Sequence, residues 1–412
     1  MSIRHTSQNG TPTSPRSAIR RLAVARLVSL AGTEAAFTAL LFVLYQRTRS
    51  PGLVSVALLL TFGTFGLAGP VAGSLGDRFD RKLVMMCSEV AGGICFAGLA
   101  FARSPGHLLL LAFLSALLGS PFGGAASAAV PNLAGREELS WANGTVGMGM
   151  NVGFLAGPVL GGVLVAAFGP KTVFLANAGS FAVSACLILS IRGRFAGVRD
   201  DERDDHRGLR AGIRFLRRDP VLLRMVLAFS IWLIGVGAVV VGELPLSQSF
   251  GVGSVGYGLL AASWGTGAAI GAFFARFLTA RTEHRGLVFG CMGTALGLAS
   301  IAVLPVFPAI LGAMIVAGGA DGLVDVTAET ILQRRTPDAV RSRVAAAFEG
   351  LLHAMFAVSF VFAGLLVEWL GPKPAYLVAG AGSLVTAAVL SPLLRSGSAR
   401  AADVGVEVGV TS

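Results

Sequence analysis

Long apolar runs separated by short polar breaks dominate this sequence. Crossing a bilayer takes about 20 consecutive apolar residues. Twelve runs reach that length, at 22–45, 52–75, 83–103, 107–130, 142–167, 172–192, 223–246, 255–278, 286–305, 307–332, 344–367 and 374–394. Most breaks are only a few residues long, so consecutive runs are expected to pack as antiparallel helices. Between the second and third runs the break is dense in charge, with Asp77, Arg78, Asp80, Arg81 and Lys82 close behind Gly73 and Gly76. That stretch predicts a tight, water-facing turn, with glycines supplying the backbone freedom.

The polar breaks also orient the chain. If the N-terminus lies inside, only Arg47, Arg49, Arg103, Lys171 and Lys373 of the 33 basic residues fall in outer loops, leaving 28 at the inner side or its edge. Basic residues collect on the cytoplasmic side of membrane proteins, so both termini are expected in the cytoplasm of a multi-pass plasma-membrane protein. The longest break, 193–222, divides the chain into six runs and six. Its acidic and basic start, Arg199 to Asp205, is followed by Leu209, Ile213 and Leu216 at helical spacing among Arg210, Arg214, Arg217 and Arg218. This predicts an amphipathic helix on the inner membrane surface, ended by Pro220. The expected organisation is a disordered cytoplasmic N-tail (1–18), a six-helix bundle (19–192), the linker (193–222), a second six-helix bundle (223–394) and a disordered cytoplasmic C-tail (395–412).

The two halves repeat. Phe168-Gly169-Pro170-Lys171 recurs as Leu370-Gly371-Pro372-Lys373 at an offset of 202, and the following Ala178-Gly179-Ser180 as Ala381-Gly382-Ser383 at 203. The same offset sets His353 opposite Asn151.

Composition agrees with a membrane class: 54% hydrophobic, 13% charged, mean hydropathy +0.74. The net charge of +11 is spread through short loops rather than gathered on a soluble face, which argues against nucleic-acid binding. Cys87, Cys95, Cys186 and Cys291 all fall within apolar runs without metal spacing and read as packing residues. Gly251-Val252-Gly253-Ser254-Val255-Gly256 fits a dinucleotide pattern but lies in an outer loop with no strand before it. No phosphate-binding loop, nucleophile–base set or metal cluster appears, so neither an enzyme nor a cofactor is expected.

Gly73-Ser74-Leu75-Gly76-Asp77-Arg78-Phe79-Asp80-Arg81-Lys82 resembles the loop between helices two and three of the major facilitator superfamily, with Asp80 where the pattern has glycine. Gly153, Gly157, Pro158, Gly161 and Gly162 resemble the helix-five signature of that superfamily's antiporters and exporters. Leu332 to Asp338, Arg341 to Val344 and Arg218-Asp219-Pro220 are similar to its macrolide and siderophore exporter branch. The resemblance covers about 19–394. It implies an all-α fold of twelve transmembrane helices in two pseudo-symmetric bundles, a substrate site between them and a gating role for Gly73, Gly76, Asp77, Arg78, Arg81 and Lys82. In that role Asp77 would accept from Arg81 and face the start of span eleven.

Ionisable groups at membrane depth cost about 2.5–3.5 kcal/mol each and need a reason. Glu34 lies mid-span in run one; it is either a proton acceptor or cation counter-charge, or a structural group paired with Arg26. Asp321, Asp325 and Glu329 recur at i, i+4 and i+8 on run ten and form a carboxylate stripe, with Glu329 expected to pair with Arg334 or Arg335. Glu349 and His353 make a second i, i+4 pair, and imidazole titrates in the physiological range. Glu89 is expected to steady the Asp77 loop, and Glu243 either meets substrate at the outer end or is solvated. The sequence therefore predicts a monomeric, proton-coupled exporter of amphipathic small molecules working by alternating access. A facilitator or importer on the same fold, or a non-transporting sensor or scaffold, are the alternatives.

Overall fold

The computed structural model describes residues 14–135, 137–192, 195, 205–337 and 340–394, apart from the side chains of residues 65–78, 205–209 and 342. Among the described residues there are thirteen helices and no strand. These are α1 (Pro15–Thr48), α2 (Pro51–Arg78), α3 (Arg81–Leu99), α4 (Pro105–Ala134), α5 (Leu139–Phe168), α6 (Pro170–Ser190), α7 (Asp205–Arg218), α8 (Pro220–Ser249), α9 (Gly253–Ala275), α10 (Glu283–Val303), α11 (Phe307–Arg335), α12 (Arg341–Leu370) and α13 (Pro372–Leu390). All but α7 correspond to the twelve apolar runs. Proline opens α1, α4, α6, α8 and α13 at the first turn, where its missing N–H costs nothing. At the repeated Gly-Pro-Lys blocks, Gly169 and Gly371 take φ of 77° and 82°, values that favour glycine. Each closes its helix on an equivalent carbonyl, Gly169 N–H to Val165 at 3.0 Å and Gly371 N–H to Val367 at 2.9 Å. The sequence repeat is thus a repeat of backbone geometry.

The charged turn after the second run is shorter than its sequence suggests. α2 continues as helix to Arg78, leaving Phe79 and Asp80 as the connection. Asp80 is the N-cap of α3, its side chain accepting from the Leu83 N–H at 3.1 Å, with φ −58°. Aspartate stands well there because the position needs a cap and an ordinary backbone, so the glycine of the family pattern is dispensable. The gating-loop residues Gly73, Gly76, Asp77 and Arg78 fall where side chains lie outside the described residues.

Helices α1 and α3–α6 pack among themselves, joined by α2 through α4, and α8–α13 form a second group; α5 meets α9 and α2 meets α12 between the groups. The cores reveal how the two groups meet. At the end carrying the α6–α8 linker there are two separate buried clusters. One is built on Ile19, Leu22, Met85, Ala129 and Ile188, the other on Leu216, Leu222, Met225, Val344 and Ile331. At the far end a single cluster contains residues of both groups, among them Leu40, Leu44, Leu58, Val241, Leu244 and Phe360. Phe62 of α2 stacks on Phe360 of α12 with centroids 5.9 Å apart and meets Phe356 edge-on at 5.7 Å. The bundles are therefore fused at the far end, while their linker-end cores are distinct.

The linker helix departs from expectation. Its apolar edge is turned onto protein: Leu216 is buried with Leu222, Val344, Ala347 and Phe348, and Ile213 packs on the same cluster. A Cβ at Gly212 would collide with the Arg343 carbonyl, so α7 lies directly on the first turn of α12. Leu209 lies outside the described side chains. Of the cysteines, all free, Cys95 and Cys291 are buried as packing residues, whereas Cys87 and Cys186 face outward.

Candidate transport site

A cavity of about 400 Å³ lies between α8, α11 and α12. Its polar groups are Asp325 and Glu329 from α11 and Glu349 and His353 from α12; its apolar wall is Phe229, Trp232 and Leu233 of α8 with Phe348, Leu352 and Phe356 of α12. Helical period explains the set. Asp325 and Glu329 are one turn apart, as are Glu349 and His353, and Phe348, Leu352 and Phe356 make a neighbouring apolar row. His353 Nδ1 lies 2.9 Å from the Glu349 carbonyl oxygen, a contact that fixes the ring along its own helix. Three carboxylates, one imidazole and a wall of aromatic faces make a pocket that attracts positive charge and buries apolar surface.

Asp321 belongs to the same stripe but not to the cavity lining. It is 6% exposed and lies near Cys291 of α10, close enough to Asp325 for the two carboxyls to interact. The expected pairing of Glu329 with Arg334 or Arg335 is not what forms. Arg334 pairs with Glu283 of α10 at 3.1 Å and Arg335 with Asp219 at 3.0 Å, while Glu329 accepts from Gln333 Nε2 at 2.7 Å. With both arginines engaged elsewhere, Glu329 turns to the cavity.

Glu34 stands apart from these groups. It sits where α1 crosses α5, its Cβ against Gly157, and within electrostatic range of the Tyr257 phenol of α9. Arg26 does not pair with it. Arg26 donates to Met150 Sδ at 3.1 Å, lies over the Phe122 ring at 5.1 Å and faces Glu89. Glu89 is itself only 1% exposed and accepts from Ser29 Oγ at 3.2 Å. It therefore braces α3 against α1 inside the bundle; the Asp77 side chain it was expected to steady lies outside the described residues. Glu243 is buried too, near Tyr257 and Tyr376, and is not a solvated outer carboxylate.

The glycine signature of α5 serves two contacts. Gly153, Gly157 and Gly161 face α1, where a Cβ would meet Leu27, Ala31 and Ala35 backbone atoms; Gly149 extends the row against Ala23. Small residues four apart let helix backbones approach closely. Gly162 and Pro158 face the other bundle instead, meeting Ser254 and Gly258 of α9. Arg81 and Lys82 act as helix-end ties among the described residues. Arg81 donates to the carbonyls of Ala128 and Phe195 at 2.9 and 3.1 Å, and Lys82 to those of Leu189 and Ile191 at 2.9 and 2.8 Å. Sequence reasoning passed over the aromatic wall of the cavity, for which the four-residue spacing of Phe348, Leu352 and Phe356 was the available signal.

Two six-helix groups closed at one end, with a polar cavity in the second, define a membrane carrier rather than an enzyme. The Major Facilitator Superfamily model matches residues 22–348 and 235–406, and the chain belongs to that superfamily. It is 27% identical over 350 residues to the uncharacterized MFS-type transporter YfiS of Bacillus subtilis, covering 82% of this chain and 83% of that protein. It is 28% identical over 381 residues to the enterobactin exporter EntS of Salmonella typhimurium, covering 90% and 91% respectively. Among solved structures, the nucleoside transporter NupG superposes with a TM-score of 0.75 at 14% identity, covering 91% of this chain and 98% of that one. A bacterial homologue of the iron transporter ferroportin, in an inward-facing state, gives 0.70 at 18% identity, covering 92% and 99%. These structural likenesses establish the fold, and the chain is a multi-pass membrane transporter.

Proposed function

We propose that this carrier exports amphipathic small molecules in exchange for protons, alternating access between bundles at 19–192 and 223–394. The observation that carries the reading is the cavity in which Asp325, Glu329, Glu349 and His353 face an aromatic wall. A substrate with an apolar body and a positive or hydrogen-bonding head fits that lining, and a proton can take the place of the head on the same carboxylates. Competition between proton and substrate for one set of groups couples their movements, because each occupant biases which side is open. Inward proton movement supplies about 2.3 kcal/mol per 100 mV of membrane potential. The name of the EntS relative supports export as the direction.

With both termini cytoplasmic, as the basic loops indicate, the fused far end is the outer end and the cavity is loaded from the cytoplasm. Asp321 backs Asp325 as a second proton acceptor, and Glu34 monitors closure through Tyr257. Asp77 and its neighbours act as a lock at the cytoplasmic end. The working unit is a monomer, with both bundles supplied by one chain.

The test is transport by the purified chain in proteoliposomes, with candidate compounds including enterobactin and cationic amphiphiles, with and without an imposed pH gradient. Accumulation against a gradient, abolished by a protonophore, is the expected result. Equilibration unaffected by the pH gradient would replace this reading with a facilitator.

A further inference from the structure

Because the apolar edge of α7 is spent on α12 and α8, its opposite face is left free. Arg210, Arg214, Arg217 and Arg218 are all exposed, and none makes a hydrogen bond or ion pair with a described residue. At about 100° per residue they fall within an arc of about 100°, facing away from Gly212 and Leu216. The position of this stripe is fixed. Arg218 is followed at once by Asp219, which caps α8 through the N–H groups of Val221 and Leu222 at 2.8 and 3.0 Å, and Pro220 starts the 30-residue apolar helix. Asp219 is also held by Arg335 of α11 at 3.0 Å, so the end of α7 cannot swing away from the point where the chain enters the membrane.

We propose that this arginine face binds the anionic headgroups of membrane lipids. Four unpaired guanidiniums on a helix anchored at the headgroup layer are complementary to phosphate oxygens, which guanidinium engages in bidentate fashion. The expected geometry is the reverse of an ordinary surface helix: α7 is clamped, with protein on its apolar edge and lipid phosphate on its basic one. Since Gly212 seats α7 on the first turn of α12, the lipid contact holds the same helix that carries Glu349 and His353 into the cavity.

The experiment uses the full chain in nanodiscs of phosphatidylcholine containing spin-labelled phosphatidylglycerol, with the motionally restricted lipid measured at low and high salt. The combined R210Q/R214Q/R217Q/R218Q variant is expected to weaken phosphatidylglycerol association by about tenfold or more. The corresponding four-lysine variant should lose clearly less than the glutamine variant, because it keeps the charge and gives up only the bidentate geometry. A change of Arg281→Gln with Arg285→Gln, exposed arginines at the same end but off α7, should have little effect. Parent-like association in the glutamine variant, or an equal loss in the Arg281/Arg285 variant, would overturn the proposal. Photo-crosslinkable phosphatidylglycerol on the unsubstituted chain gives a check independent of variant folding. Adducts on α7 are expected, and adducts only elsewhere would overturn the proposal.

Discussion

The hydroxyl of Ser254 donates to the carbonyl of Gly162 at 3.0 Å, and both residues are buried. This bond joins α9 of the second bundle to α5 of the first through Gly162. One turn along, Gly258 lies where a Cβ would meet the Pro158 carbonyl oxygen at 2.6 Å. Across the same end, Ser55 Oγ donates to the Phe360 carbonyl and Gly364 leaves room for Ser55. The far-end closure therefore depends on small side chains on both bundles.

Gly258→Val should open the far end without unfolding either bundle. Overpacking costs about 1–3 kcal/mol, which the closed state bears and the far-end-open state escapes, so the equilibrium should shift by about 5- to 150-fold. Spin-label distances between the far-end tips of α5 and α9 would lengthen in the variant. An unchanged distance distribution would mean that the contact is not a gate.

Gly161→Val attacks a neighbouring position with a different outcome. Its Cβ would meet Ala35 backbone atoms of α1, inside the first bundle, and that contact persists in both access states. The variant should lose about 1–3 kcal/mol of stability, read as a lower melting temperature and reduced folded yield, with no preference between states.

Asp219 combines a helix cap with an ion pair to Arg335. Asp219→Ala should cost about 1–2 kcal/mol, and Asp219→Asn less, because asparagine caps as well as aspartate but leaves the arginine without its charge partner. Thermal denaturation in one detergent ranks the three proteins. Equal stability of the alanine and asparagine variants would show that the cap contributes nothing.

Much of the fold is legible from hydropathy because lipid demands whole apolar helices, which is why all twelve runs became helices. The repeat was equally visible, since Gly169 and Gly371 both need positive φ. Partnerships were harder to read. Arg26 was close in sequence to Glu34 but turned to Glu89 on another helix, and Arg334 went to Glu283 rather than Glu329. Local spacing identifies which residues share a face, but which helix that face meets is set by tertiary packing. The α7 helix makes the same point: an amphipathic pattern reports an apolar edge without saying whether lipid or protein covers it. At the candidate transport site the acids were found from their i, i+4 spacing, whereas half of the apolar wall, Phe229, Trp232 and Leu233, came from α8, distant in sequence from α11 and α12.

Asp325 is proposed to exchange a proton for substrate in the cavity between α8, α11 and α12. The most direct measurement pairs two assays on purified, folded Asp325→Asn protein in proteoliposomes: uphill transport driven by a pH gradient, and exchange of labelled for unlabelled substrate without one. An asparagine keeps the shape of the site but cannot release a proton. With proton exchange at Asp325, driven transport should fall at least about tenfold while exchange continues, because exchange does not require the proton to be discharged. Full pH-driven accumulation by Asp325→Asn would contradict it.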